Sequence, residues 1–259
     1  MSHFLEDMTQ HVLTRLQTLY VESNPPVASS VDFCEIFNHQ TVPVIISEIK
    51  FASPSRGCIY TGTLNHVQIA ERYVAHGASA LSVLTEPHFF KGDVQYIRDI
   101  RAALPTCPIL LKDFVLSPLQ IQQAHAVGAN AVLLIVAFLE PSLLRSLYDE
   151  AMNLGLVPLI EVHDERELEL ALRLQPKIIG INNRNLKTMA IDLDNARRLI
   201  SQVPEDVFAV CESGIRTQAE IQEMQARGFD GFLIGSHLMQ SPDPGEALGA
   251  LCLRGPHAR

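Results

Sequence analysis

The sequence lacks the features that mark several large classes of protein. No apolar run approaches the about 18 residues that a membrane-spanning helix needs. Residues 1–11 are acidic and polar where a signal peptide has a basic flank and an apolar core. No Gly-x-Gly-x-x-Gly motif follows the first strand-like run, so a dinucleotide-binding sheet has little support. We therefore expect a cytoplasmic protein without a membrane partner.

Metal and disulfide patterns are also missing. The five cysteines are odd in number and scattered, without a Cys-x-x-Cys pair, so we expect reduced thiols. The ten histidines lack a paired spacing such as His-x-x-x-His. His163 follows Glu161 closely enough to be a metal ligand, but the pair alone is weak support. We expect neither a metal nor an organic cofactor.

Positive charge is scarce. With 20 basic and 29 acidic residues the net charge is −9, which disfavours nucleic acid as a partner but allows a local basic pocket for a small anion. Apolar residues, in contrast, make up 47% of the chain and charged residues only 19%, so a substantial core is expected. A chain of 259 residues could form one large domain or two small ones.

Short apolar runs alternate with segments of helical periodicity from Pro43 onward. The candidate strands are Val44–Ile49, Ala80–Thr85, Ile109–Lys112, Ala131–Val136, Val157–Val162, Ile178–Asn182, Val207–Cys211 and Gly231–Ile234. The candidate helices are Asn65–His76, Val94–Ala103, Pro118–Val127, Glu140–Leu154, Glu165–Leu174, Asp194–Val203, Thr217–Arg227 and Asp243–Leu251. This alternation implies parallel strands, and the count of eight favours a closed (β/α)8 TIM barrel over an open sheet. We expect one α/β domain, with its barrel over residues 43–253.

Residues 1–42 differ from the rest and predict a helical extension of the same domain. Apolar residues in Phe4–Tyr20 have helical spacing. Two prolines and small polar residues in Ser23–Ser30 break that helix, and Val31–His39 can form another short one. We expect this extension to brace the barrel or to cover its mouth.

The stretch Pro43–Gly57 places two opposite charges at the end of a buried strand. Glu48 and Lys50 are two residues apart, so on a strand both side chains point to the same face. Such charges are costly to bury unless they pair or bind something. The pair is therefore either a structural ion pair at a strand edge or part of an active site.

Other ionisable or amide residues end the later strands, and these are Glu86, Lys112, Glu161, Asn182 and Glu212. In a barrel of this kind, catalytic groups lie where the strands run into the following loops. A solvated loop residue explains any single one of them. Their recurrence at one end of the strands favours a shared site.

Two glycine–serine pairs predict a phosphate site. Ser213-Gly214 follows the seventh candidate strand, and Gly235-Ser236 follows the eighth. Loops seven and eight of such barrels frequently bind phosphate. Each pair alone is weak, because both are common in turns. Together they predict a phosphorylated small molecule as partner, with Ser53 in the first loop as a further hydroxyl.

A set of ordered motifs carries a family resemblance. The motifs are ISEIKFASPSRG, SVLTEPHFFKG, PILLKDF, LIEVHDEREL, IGINNRNL, AVCESGI and FLIGSHLMQSPDPGEAL. With them, the chain resembles indole-3-glycerol-phosphate synthase over roughly residues 44–248. That family belongs to the tryptophan pathway; its enzymes close and decarboxylate 1-(2-carboxyphenylamino)-1-deoxyribulose 5-phosphate. The resemblance implies a cytoplasmic carboxy-lyase, with possible contact to other enzymes of that pathway.

The resemblance also implies catalytic roles. Lys112 would be the general acid that drives ring closure, since an ammonium both polarises a ketone and donates a proton. Glu161 would be the partner carboxylate in the later proton transfers. Lys50 would be a second cation for the substrate carboxylate, and Glu48 would hold the lysines in register. Which lysine donates each proton stays open.

Substrate-binding roles follow in the same way. Asn182 and Glu212 would orient the substrate hydroxyls and the ring region. The implied phosphate site consists of Ser53, Ser213, Gly214, Gly235 and Ser236. Three positions depart from the family pattern, namely Phe51, Leu111 and Asn185, and each is expected to cost a charge near the mouth.

Other functions stay open at this point. A phosphoribosylanthranilate isomerase or a tryptophan synthase α subunit would require different acids and bases at the strand ends. A barrel that only binds a phosphorylated ligand or scaffolds a complex has no need of Lys112 and Glu161.

Overall fold

Eight parallel strands form a closed barrel in the computed structural model, which describes residues 3–19, 21, 31–38 and 43–252. The strands are β1 (Val44–Ile49), β2 (Ala80–Leu84), β3 (Ile109–Lys112), β4 (Ala131–Ile135), β5 (Val157–Val162), β6 (Ile178–Asn182), β7 (Phe208–Glu212) and β8 (Gly231–Ile234). Each strand pairs with its neighbours in chain order, and β8 pairs with β1 to close the ring. The predicted (β/α)8 barrel is confirmed.

Helices separate the strands. They are α1 (His3–Leu16), α2 (His66–Ala75), α3 (Gln95–Ala103), α4 (Pro118–Ala126), α5 (Pro141–Asn153), α6 (Glu165–Leu172), α7 (Asp194–Leu199), α8 (Gln218–Ala226), α9 (Ser236–Met239) and α10 (Pro244–Cys252). Side-chain caps set several helix starts, as at Thr217, which forms a capping box with Glu220 before α8. The segment predicted as one helix over Asp194–Val203 is α7 followed by a 3-10 turn at Ile200–Gln202.

Alternate residues of each strand face two different apolar layers. In β1, Ile45 and Ile49 belong to the layer between the strands and the outer helices, whereas Val44 and Ile46 fill the barrel interior. The same period places Glu48 on the interior face, at the carboxyl end of its strand. Because side chains alternate between the two faces of a strand, charged residues near the strand ends point into the mouth of the barrel.

Helix α1 packs at the mouth of the barrel. Its residues Met8 and Val12 are buried in the interior cluster together with Phe114. Arg15 Nη2 donates to Asp113 Oδ1 at 2.8 Å, and Asp113 directly follows β3. The predicted N-terminal helix is thus present, although it ends at Leu16 rather than near residue 20.

A 3-10 helix over Phe33–Phe37 closes the opposite end of the barrel. Phe37 stacks on Phe208, the first residue of β7, with ring centroids 4.6 Å apart. The backbone carbonyl of Val31 accepts a hydrogen bond from Asn130 Nδ2, just before β4, at 2.9 Å. The short helix predicted within Val31–His39 is therefore present as a 3-10 helix, while the predicted break at Ser23–Ser30 lies outside the described residues.

Arg101 of α3 is buried at the same closed end, with 2% exposure. Its guanidinium donates to the carbonyls of Gly128, Pro105 and Cys107 at 3.1, 2.8 and 2.7 Å. It also donates to Asn130 Oδ1 at 2.5 Å. One side chain thus satisfies backbone acceptors from the turns that lead into β3 and β4.

The loop after β1 contains a feature that the sequence did not predict. Ala52–Ser53 and Gly57–Cys58 pair as a two-stranded antiparallel hairpin beside the barrel mouth. Phe51, just before it, packs edge to face against Tyr60 and Tyr96. Because only two residues pair on each side, the hairpin has no alternating apolar pattern to reveal it.

None of the helices within the described residues is long and apolar enough to cross a membrane.

Candidate active site

The carboxyl ends of the barrel strands surround a cavity of about 420 Å³. Its lining includes Glu48, Lys50, Lys112, Glu161, Asn182, Glu212, Ser213, Gly214, Gly235 and Ser236, which are all but one of the site residues expected from the sequence. They come together because parallel strands of a barrel end at the same rim. Ser53 is the exception: it lies in the hairpin, with its hydroxyl 3.5 Å from that of Ser55, outside the lining formed by the described residues.

Lys112 lies at the centre of this cavity between two glutamates. Its Nζ is 3.1 Å from Glu161 Oε2 and 3.6 Å from Glu212 Oε2. Burial opposes the charged ammonium, but the carboxylates of Glu161, Glu212 and Glu48 outweigh it and raise the pKa of Lys112. Lys112 is therefore a cation at neutral pH, ready to stabilise negative charge that develops on a bound carbonyl oxygen.

The two glutamates beside Lys112 differ in pKa. Burial raises the pKa of Glu161, but Lys112 and His163 outweigh it and hold that pKa well below its usual range. Burial raises the pKa of Glu212, and the negative charge of Glu161 raises it further. Together they outweigh the attraction of Lys112, which acts to lower this pKa. Adjacent carboxyl groups with separated pKa values can divide the roles of base and acid. Glu212 Oε1 is also buried and has no hydrogen-bond partner among the described residues.

The opposite charges predicted at the end of β1 do form a pair. Lys50 Nζ donates a hydrogen bond to Glu48 Oε1, and both side chains are largely buried at the rim of the cavity. A lysine paired only at one carboxylate keeps donors for a second anion. The pair is thus compatible both with structural ion pairing and with substrate binding.

His163 does not belong to a metal site. Its Nε2 lies 3.3 Å from Glu161 Oε1, and its Nδ1 lies 3.0 Å from Glu167 Oε2. Within the described residues, no group of three or more His, Cys, Asp or Glu side chains could hold a metal ion. The sequence pattern of Glu161 and His163 therefore reflects contact between a carboxylate and an imidazole.

The loops after β7 and β8 line one corner of the cavity with serine and glycine residues. Ser213 and Gly214 are consecutive residues in the left-handed region, with φ of 63° and 98°. Consecutive turn residues of this kind form concave sets of backbone N–H groups that bind anions. Gly235 and Ser236 line the cavity beside them. This corner has the chemistry expected of a phosphate site.

Three arginines that the sequence reasoning missed also line the cavity: Arg56, Arg184 and Arg216. Burial, together with the positive charge of Arg56, lowers the pKa of Arg184. They lie in the loops, two or more residues beyond the strand ends, so the strand-end rule could not find them. They form the local basic pocket that an acidic protein needs to bind an anionic small molecule.

A large part of the remaining wall of the cavity is apolar. The apolar lining residues are Leu84, Phe90, Phe114, Leu133, Ile135, Leu186, Ile191, Ile215, Leu233 and Ile234, and the polar residues Asp113, His237 and Gln240 complete the lining. Two aromatic rings and several branched aliphatic side chains suit a flat, apolar group of a ligand. Apolar residues near strand ends are so common in the sequence that no pattern marked these as part of a site.

The departures from the family pattern lie outside the lining of this cavity. Leu111 faces the outer helices, because Lys112 next to it faces the interior. Asn185 Oδ1 accepts hydrogen bonds from the backbone N–H groups of Lys187 and Thr188. Phe51 packs on tyrosines. None of the three contributes to the lining, and the expectation that each costs a charge near the mouth stays a prediction.

Glu86, another predicted strand-end group, has a local role in the loop after β2. Its carboxylate accepts hydrogen bonds from the backbone N–H groups of His88, Phe89 and Phe90 at 2.8, 2.7 and 3.1 Å. These contacts fix the turn that carries Phe90 into the cavity wall. Glu86 is therefore a loop-ordering residue in this structure.

Gly180 in β6 provides the space that the Glu212 side chain occupies. A Cβ atom at Gly180 would lie 2.1 Å from Glu212 Oε1 and 2.7 Å from Leu159 Cδ2. Replacement by alanine must therefore move the carboxylate, and overpacking of this kind costs about 1–3 kcal/mol. We expect Gly180→Ala to lower kcat/KM at least about 10-fold, corresponding to about 1.4 kcal/mol of lost transition-state stabilisation.

Steady-state kinetics with the enzyme's substrate would measure the change in kcat/KM, and thermal unfolding would measure the cost of overpacking. Gly249→Ala is a matched control, because the nearest atom to its Cβ would be His76 Cδ2, at an ordinary contact distance of 3.4 Å. Alanine also favours a helix over glycine, so that variant should keep its rate and its stability. A Gly180→Ala protein with a rate within twofold of wild type would show that Glu212 does not need its observed position.

The fold and the cavity define a class of protein: a (β/α)8 barrel whose mouth combines acid–base groups, a basic rim and an apolar wall. The family model for indole-3-glycerol phosphate synthase matches residues 3–251. The chain belongs to the indole-3-glycerol phosphate synthase family.

Curated relatives agree with this assignment. The indole-3-glycerol phosphate synthase of Albidiferax ferrireducens is 45% identical over 209 residues, which cover 81% of this chain and 78% of that protein. The enzyme of the same name from Acidithiobacillus ferrooxidans is 41% identical over 244 residues, covering 94% of this chain and 92% of that protein.

Solved structures that are distant in sequence show the fold alone. The 3-hexulose-6-phosphate synthase from Salmonella typhimurium aligns with a TM-score of 0.64 at 13% identity, over 81% of this chain and 96% of that one. Thiamine phosphate pyrophosphorylase from Pyrococcus furiosus aligns with a TM-score of 0.58 at 16% identity, over 81% of this chain and 93% of that one.

Proposed function

We propose that this protein is an indole-3-glycerol-phosphate synthase. It converts 1-(2-carboxyphenylamino)-1-deoxyribulose 5-phosphate to indole-3-glycerol phosphate, with release of CO₂ and water. The observation that carries the proposal is the buried Lys112 ammonium, 3.1 Å from Glu161 and within a cavity that is basic on one side and apolar on the other. Family membership supports the same reaction.

The chemistry of the cavity gives the substrate one orientation. Its phosphate binds at the corner formed by Ser213, Gly214, Gly235 and Ser236. Its aromatic ring lies against the apolar wall near Phe90 and Phe114. The ketone carbon, between these two ends, then faces Lys112. The ring carboxylate is neutralised by Lys50 and by the arginines of the rim.

Ring closure forms a bond between the ring carbon that bears the carboxylate and the ketone carbon. Lys112 donates a proton to the carbonyl oxygen as negative charge develops there, which removes the largest electrostatic cost of the step. Loss of CO₂ then leaves the electron pair of the broken bond to restore the aromatic ring. Lys50, which pairs with Glu48, is the cation that neutralises this carboxylate until it leaves.

Dehydration completes the reaction. The new hydroxyl leaves as water after a second protonation, while Glu161 removes a proton from the neighbouring methylene carbon to form the indole double bond. The lowered pKa of Glu161 keeps it ionised for that step. Because the carboxylate leaves as neutral CO₂, one proton is taken up from solvent per turnover. Asn182 and Glu212 orient the hydroxyls, and the unpartnered Glu212 Oε1 is suited to accept from one of them.

An absorbance assay tests the proposal. The purified protein, given the substrate without any added cofactor, should produce the ultraviolet absorbance of an indole. One CO₂ should be released for each indole formed, which excludes an isomerase reaction. A folded preparation that yields no indole absorbance would refute the proposed function.

The cellular setting belongs to the same proposal. We place the protein in the cytoplasm, which fits its five free cysteines. A phosphorylated substrate is the small-molecule partner, and contact with other enzymes of the tryptophan pathway is a proposal that co-purification can test.

A further inference from the structure

We propose that His163 is a positioning residue for Glu161. Its ring fixes one oxygen of the Glu161 carboxylate while Lys112 fixes the other, and Glu167 holds the ring in place. The inference rests on the proposed function, in which Glu161 is the base. It assigns a task to two side chains, His163 and Glu167, that the reaction described above does not use.

The contacts divide the two oxygens of Glu161. Oε2 accepts a hydrogen bond from Lys112 Nζ at 3.1 Å, whereas Oε1 lies 3.3 Å from His163 Nε2 in an ion pair that lacks hydrogen-bond geometry. A carboxylate held at both oxygens by different cations has little freedom to rotate. Its orientation toward a bound substrate is thus set before the substrate arrives, which is what a preorganised base requires.

Glu167 fixes the ring from the other side. Its Oε2 is 3.0 Å from His163 Nδ1 and also accepts the backbone N–H of His163 at 2.8 Å. Glu167 is itself anchored in the first turn of α6, where its backbone N–H donates to the helix-capping Asp164 Oδ1 at 2.9 Å. The backbone, the ring and the start of the helix therefore form one rigid unit.

His163 acts without touching the substrate. It is absent from the cavity lining formed by the described residues, and its side chain is 12% exposed. Its effect must therefore pass through the Glu161 carboxylate, and "positioning" describes its role better than "catalytic".

The charges that surround this pair come from five elements. Glu161 in β5 faces Lys112 from β3, Asn182 from β6 and Glu212 from β7, with Glu48 of β1 on the far side of Lys112. The His163 ring faces the carboxylates of Glu161 and Glu167. Burial disfavours the ionised form of Glu161, and His163 adds to the attraction by which Lys112 opposes it.

The charge state of the ring agrees with the geometry. Burial favours neutral imidazole, but the two carboxylates dominate and raise the pKa of His163 to about 10. At neutral pH both ring nitrogens then carry protons, and each faces an oxygen. The stabilisation from this contact is complete below the unfolded-state pKa near 6.5 and is lost as pH rises through about 10.

The first test measures the ring directly. Long-range ¹H–¹⁵N NMR of the histidine rings, with His163 assigned by its absence in His163→Gln, should show a ring that stays doubly protonated from pH 6 to about 8. Glu167→Gln should lower the pH at which this ring titrates. A neutral His163 ring at pH 7, or a titration unaffected by Glu167→Gln, would overturn the proposal. This readout needs no enzymatic activity.

The second test measures the pH dependence of turnover. His163→Gln keeps a hydrogen-bond donor but removes the positive charge, so the pKa of Glu161 should rise. The acid limb of the kcat–pH profile should move up by about one pH unit, the lower end of what an adjacent charge produces. KM should change less than about twofold, because the ring does not contact substrate. Glu167→Gln should give a smaller shift in the same direction.

Controls separate this role from a structural one. His125→Gln on α4 removes a histidine far from the site and should leave the profile unchanged. A uniform loss of rate at every pH, with a lowered Tm and no shift of the acid limb, would mean that His163 only supports the fold. If His163→Gln fails to fold, the acid limb of the kcat–pH profile of Glu167→Gln still decides, since the proposal requires that limb to move up. An inactive wild-type enzyme refutes the proposed function instead.

Discussion

Lys112→Ala should lose about three orders of magnitude in kcat, the largest catalytic effect expected of any single substitution in this protein. General acid catalysis is worth about 10²–10⁴-fold, and removal of one preorganised donor to a developing oxyanion costs about 10²–10³-fold. Lys112 is proposed to supply both effects. Because it contacts Glu161 and Glu212 rather than the phosphate corner, the loss should fall on turnover more than on binding.

Single-turnover kinetics would measure the rate of the chemical step. Competition between the substrate and inorganic phosphate would measure binding at the phosphate corner. Lys177→Ala is the matched control, since Lys177 is exposed on the loop before β6. It should keep the wild-type rate. The thermal unfolding of both variants must also be measured, because removal of the ammonium leaves buried carboxylates without their main counter-charge. Wild-type turnover in Lys112→Ala, or equal losses of rate and phosphate binding in a folded protein, would contradict the assignment.

Arg101→Met is expected to produce the largest loss of stability. The guanidinium donates to four backbone carbonyls and to Asn130 Oδ1 at the closed end of the barrel. Methionine fills part of the volume but removes these donors; Asn130 Oδ1 keeps the backbone N–H of Ile109, whereas the buried carbonyls of Gly128 and Cys107 lose the guanidinium at about 1–3 kcal/mol each before relaxation. We expect the free energy of unfolding to fall by about 3–5 kcal/mol.

Urea unfolding followed by circular dichroism would measure the change. Arg173→Met is the control, because Arg173 pairs with Glu169 on an exposed helix surface, where such pairs contribute only about 0.3–0.5 kcal/mol. Arg101 lies at the end of the barrel opposite the cavity, so the protein that remains folded should keep its KM. A midpoint within experimental error of wild type would show that solvent or rearranged neighbours can replace the guanidinium.

The fold was predictable because the pattern is repeated. Eight apolar runs alternate with amphipathic segments, and each predicted strand matches an observed one to within two residues at either end. The features that were missed are short. The hairpin after β1 and helix α9 contain two to four residues per element, too few for an apolar pattern to repeat. Tertiary contacts, rather than local sequence, hold them.

The candidate site was predictable in part, for a related reason. Charged residues at strand ends stand out against apolar strands, and the barrel brings Glu48, Lys112 and Glu161 together. The loop arginines could not be found in this way, because the direction of a loop is set by its packing. The opposite pKa shifts of Glu161 and Glu212 depend on distances of a few ångströms, which a sequence does not contain.

The described residues within 5–37 pack at both ends of the barrel, and they are synthesised before the strands that they contact. Val31 is synthesised 99 residues before Asn130, whose side-chain amide donates a hydrogen bond to the Val31 carbonyl. Phe37 and its stacking partner Phe208 are separated by a still longer stretch of chain. At about 5–20 residues per second, the first of these delays is roughly 5–20 seconds. During that time the buried faces of α1 and of Phe33 have no barrel to pack on. This segment therefore docks late, although it is synthesised before the barrel.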